Sequence, residues 1–80
     1  MSFFKAVGKS FARGISRQVT RTQVAQAGNK AYKTTGQQIQ NARKNGTYIN
    51  GSAAYQRNKQ RIVRQAYRNG RDRESFINDL

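Results

Sequence analysis

The amino-acid sequence predicts an all-α chain that is small and extended, with about three helices at roughly 3–19, 23–44 and 52–69, a short C-terminal segment and little independent core. Three observations predict it. Apolar and small residues recur every third or fourth position over long stretches, the period of a helix face. The stretch NGTYINGS at 45–52 holds two Asn-Gly pairs, the clearest interruption of that period. Only 35% of the 80 residues are hydrophobic, and 16 Lys and Arg stand against three acidic residues for a net charge of +13. Compaction is therefore weakly driven and opposed by self-repulsion, which a polyanion would relieve. All three carboxylates lie at or after Asp72, so the first 71 residues have no internal countercharge. Order supplied by partners is expected.

The first helix is expected to separate two columns. Phe3, Val7, Phe11, Ile15 and Val19 form an apolar series, and Lys5, Lys9, Arg13, Arg17 and Arg21 form a basic one offset by two. A spacing of four exceeds the 3.6-residue turn, so each column winds diagonally around the helix. Such a stripe suits a curved protein surface better than a flat bilayer. An acid-free amphipathic N-terminus also matches a cleaved mitochondrial presequence or a helix lying on anionic membrane. The expected role is a retained segment whose apolar column docks on protein while its cations face nucleic acid or solvent. Gly8 and Gly14 weaken the helix by up to about 1 kcal/mol each relative to alanine.

Beyond Val19 the pattern changes phase, which predicts a break or kink near Thr20 to Gln23. Val24, Ala27, Gly28, Ala31, Thr35, Ile39 and Ala42 then form a stripe of mainly small residues that permits close approach of another helix, either the chain's own third helix or a neighbour's. Asn45-Gly46 is expected to end this helix. Tyr48 and Ile49 are placed to fill a hydrophobic gap, or Tyr48 to stack on an exposed base.

The third helix is expected from Ser52, a good N-cap, to Asn69, with Gly70 ending it. Arg57, Arg61, Arg64 and Arg68 then fall within about 60° of one another and form an arginine edge about 16 Å long. Like charges at these spacings destabilise an isolated helix. Phosphates offset that cost, because each guanidinium can hold one through two charge-assisted hydrogen bonds. Tyr55, Ile62, Val63 and Ala66 lie opposite. The tail RDRESFINDL mixes both charges, and Phe76, Ile77 and Leu80 make it a candidate docking end for a protein neighbour.

The chain has no His and no Cys, so zinc sites, disulfides and most nucleophile-base pairs are excluded. No metal, cofactor or catalytic residue is expected, and the chain reads as a non-enzyme. No sequence-reading motif is present, so binding to DNA or RNA should show little sequence preference. The function expected is that of a small basic structural protein, present in several copies in a larger assembly, which attaches nucleic acid to a protein shell. A virion or phage capsid interior fits that chemistry, and a ribosomal or nucleoid assembly satisfies the same physics. The alternative is an amphipathic protein that binds or perturbs membrane.

Overall fold

The computed structural model describes residues 3–80, with side chains from Gly8 onward. Two helices account for nearly all of it: α1, Phe3–Lys44, and α2, Gly51–Asn78. They pack antiparallel as a helical hairpin measuring 62 × 18 × 16 Å. The long dimension is that of α1 itself, whose 42 residues span about 63 Å at the helical rise. The radius of gyration is 18.1 Å, against about 12 Å for a compact chain of this length. No strand occurs among the described residues. The expectation of a small, extended all-α chain holds; the expectation of three helices does not.

The missing break is the first correction. The helix runs unbroken through Thr20 to Gln23. Thr20 and Thr22 turn their hydroxyls back onto the carbonyls of Ser16 and Gln18, at 3.1 and 2.9 Å, and stay within the helical ladder. The change of phase in the apolar pattern is real, but it reflects a change in what faces outward. The face that packs is continuous and made of small or polar residues: Ser16, Ala27, Ala31, Thr35 and Ala42 from α1 meet Ala54, Asn58, Ala66, Gly70 and Ile77 from α2. Of the stripe read in the sequence from Val24 to Ala42, Ala27, Ala31, Thr35 and Ala42 are buried in this face and Val24, Gly28 and Ile39 half-buried, and its partner is the chain's own second helix.

The turn is built as the first Asn-Gly pair requires. Gly46 takes φ 71°, and the Gly46 and Thr47 amides donate to the carbonyls of Arg43 and Ala42 at 3.2 and 2.8 Å. These two bonds are the paired helix stop that a left-handed glycine permits. The second pair acts differently. Asn50, rather than Ser52, caps α2 through a 3.2 Å bond from the Ala53 amide. Gly51 is already helical, and a Cβ there would lie 3.2 Å from Ile39 Cδ1. Tyr48 is 88% exposed and fills no gap, while Ile49 is half-buried.

Gly70 does not end the helix either. It is buried against α1, so close that a Cβ would sit 2.5 Å from Thr20 Oγ1. The helix continues to Asn78, so residues 71–78 of the mixed-charge tail form its last two turns. Ile77 is buried within the hairpin, whereas Phe76 and Leu80 are exposed.

Polar side chains tie the interface together. Asn58 Nδ2 donates to Thr35 Oγ1 and Gln38 Oε1, both at 3.0 Å. Arg73 reaches across to Ser16 Oγ at 3.1 Å, the Ser16 carbonyl at 3.3 Å and Thr20 Oγ1 at 2.8 Å. These contacts fix the register, because each donor meets its acceptor at only one alignment of the helices.

Candidate nucleic-acid interface

Small residues at 54, 58, 66 and 70 draw one face of α2 onto α1, and that choice turns Arg57, Arg61, Arg64 and Arg68 outward. All four are exposed, and with Gln65 they line one shallow surface. Along the helix the row rises about 16 Å. No carboxylate lies on it, since Asp72, Glu74 and Asp79 all belong to the far end of α2.

Because α2 continues past Gly70, the row is longer than the sequence predicts. Arg71 follows Arg68 by three residues, repeats the alternation of four and three, and is exposed. The row then spans about 21 Å. Its spacing is visible in the sequence. The rule that lets glycine stop a helix conceals it, because Gly70 is instead a point of close helix contact.

The basic column of α1 divides. Lys9 Nζ donates to the Asn78 carbonyl at 3.2 Å, and Arg13 donates through Nε at 3.0 Å, and through Nη2, to Asn78 Oδ1. Arg17 pairs with Glu74 at 3.5 Å, the one ion pair among the described residues. These three cations brace the end of α2 and are partly occupied by it. Arg21 stays exposed beside Tyr67 and Arg71. Lys5 lies outside the described side chains, as do Phe3 and Val7 of the apolar column. Its remaining members, Phe11, Ile15 and Val19, are exposed. Of the expected docking tail, Phe76 and Leu80 share this exposure and Ile77 does not.

Asn58, Arg73 and Asn78, which cross-link the helices, carry no signal in the sequence. No spacing rule marks them, because their partners are 20 to 69 positions away in sequence. No group of His, Cys, Asp or Glu able to hold a metal ion occurs among the described residues. Among the same residues no helix is long and apolar enough to cross a membrane. Comparisons with known protein families, with curated proteins and with solved structures find no match to this chain. The functional reading therefore rests on the chemistry of the chain itself.

Proposed function

We propose that this protein is a small structural component of a nucleoprotein assembly, binding the phosphate backbone of DNA or RNA through the row Arg57, Arg61, Arg64, Arg68 and Arg71. The observation that carries the reading is the exposure of these guanidiniums in one line, free of carboxylates from Arg57 to Arg68 and meeting Glu74 only beside Arg71. Five cations in a row on one helix raise its energy unless a polyanion neutralises them. Arg21 adds to the same field, while Lys9, Arg13 and Arg17 contribute less because they hold the end of α2. Phosphate contacts give affinity and positioning without reading bases, so the partner is nucleic acid of mixed sequence. A packaged genome in a virion or phage capsid is the setting that best fits so small and cationic a chain, with nucleoid or ribosomal assemblies obeying the same chemistry.

The test is the salt dependence of binding to random-sequence nucleic acid. With about six to ten phosphate contacts, affinity should fall by roughly 10³ to 10⁵ between 50 and 200 mM salt. Replacing Arg57, Arg61, Arg64 and Arg68 with Gln should flatten the log-log slope by up to about 0.9 per lost duplex contact, with helix content retained because all four side chains are exposed. A slope unchanged in that variant overturns the assigned row.

A further inference from the structure

Five large apolar side chains lie exposed towards the open end of the hairpin. Phe11 is 71% exposed and Phe76 68%, with Ile15, Val19 and Leu80 also exposed. Ile15, Val19 and Phe76 line one groove between the helices together with Ala12 and Ile77, and Asp72 and Arg73 share its lining. Arg17, Arg21 and Arg71 line a separate groove with Tyr67 and Glu74, so these three cations lie outside the apolar one. Scaled by exposure, the patch amounts to roughly 500 Å², at the top of what a monomer ordinarily leaves wet.

We propose that this patch seats a second copy of the same chain, in a two-fold pairing of open ends that makes a short four-helix bundle. Three observations select that occupant. The first is charge. Two chains of +13 repel along most of their length, but the segment from Arg71 to Leu80 carries three carboxylates against two arginines. Among the described residues the open end is the one part of the rod where both signs are present, and there Asp72 and Asp79 of one copy can face cations of the other. The second is area. If fully covered, the five side chains of two copies bury up to roughly 1,000 Å² together, the lower bound for a specific interface. The third is length. Contacts of Lys9 and Arg13 with Asn78 place the end of α2 beside the second and third turns of α1. The helix of α1 therefore extends past α2, leaving a ledge on which a second copy can rest. The same patch on both partners closes the pairing at two, since an isologous contact satisfies itself. The dimer carries an arginine row on each side of the junction.

This pairing does not depend on nucleic-acid binding, and its salt dependence has the opposite sign. Phosphate binding weakens with salt, whereas apolar association between like-charged chains strengthens as repulsion is screened. The experiment is sedimentation equilibrium of the full chain, freed of nucleic acid, from low micromolar to near-millimolar concentration at about 0.1 and 1 M salt, where the Debye length falls from about 10 to about 3 Å. The expected mass rises with concentration from 9.1 kDa towards twice that value and no further, at lower concentration in the higher salt. Phe11→Glu with Phe76→Glu should remain monomeric in both, and Tyr48→Glu, a still more exposed aromatic at the other end, should pair like the wild type. Circular dichroism checks that the helices persist, and Phe11→Ser with Phe76→Ser provides the milder pair should the charged one unfold. A monomer under every condition overturns the proposal, as does growth beyond a dimer or equal loss in Tyr48→Glu. A chain that stays monomeric but binds anionic phosphatidylglycerol vesicles through Phe11 and Phe76 assigns the patch to membrane and overturns it too.

Discussion

The two ends of the hairpin are held by different chemistry. At the closed end, Gly46 stops α1, Asn50 starts α2, Gly51 lies against Ile39, and the Asn58 amide bonds to Thr35 and Gln38. Every one of these groups is neutral. At the open end Arg73 reaches Ser16 and Thr20, and Lys9 and Arg13 hold Asn78. There every cross-link has a charged donor. The difference follows from chain connectivity. A short connection at 45–50 brings the closed end together at little entropic cost, so small side chains and neutral hydrogen bonds suffice. Partners at the open end are separated by 53 to 69 residues and belong to two cationic helices. They require the stronger charge-assisted bonds.

Substitutions can break this comparison, measured by urea unfolding of dilute protein under circular dichroism. Arg73→Met keeps the aliphatic stem and removes three bonds from part-buried acceptors, so it should cost about 2–3 kcal/mol. Asn58→Ala should cost about 1–2 kcal/mol, the range for losing a neutral buried pair. A larger effect for Asn58 than for Arg73 would reverse the assignment of strength between the ends. Hydrogen exchange sharpens it, because Arg73→Met should accelerate exchange of α2 amides near Ile77 while leaving those near Ala54 slow.

Glycines give a smaller effect with a change of sign. At Gly70 an added Cβ would displace the Thr20 hydroxyl and with it an Arg73 contact. Overpacking exceeds the gain in helix propensity, and Gly70→Ala should destabilise by about 1–2 kcal/mol. At Gly36 a Cβ meets nothing within 4 Å, and Gly36→Ala should stabilise by up to about 1 kcal/mol. Two stabilising outcomes would show that the helices do not approach closely at Gly70. Smallest of all is Arg17→Gln. The Arg17–Glu74 pair is well exposed, and its loss should change stability by less than about 0.5 kcal/mol.

Much of the candidate site is legible in the order of residues alone. The arginine spacing depends only on the helical period, so Arg57 to Arg68 needs nothing beyond the local pattern. Arg71 is lost to a local rule that gives glycine the end of a helix, when the other helix has a stronger claim on Gly70. The apolar column of α1 is a different case. Five large residues at regular spacing are expected to dock on another protein, and the helices of the hairpin indeed meet elsewhere, on Ser16, Ala27, Ala31 and Thr35, with Phe11, Ile15 and Val19 exposed.

By itself the sequence determined the helical class, the turn at Asn45-Gly46, the charge and the arginine row. Each is a property of neighbouring residues, set by backbone propensity, by positive φ at one glycine, or by composition. Only the tertiary structure decided that there are two helices, which of two candidate faces packs, and which cations are engaged. Those outcomes depend on how closely two helices can approach and on which distant side chains then come within hydrogen-bond reach. Close approach favours small residues over apolar ones, and the periodicity of one strip of chain cannot express that preference.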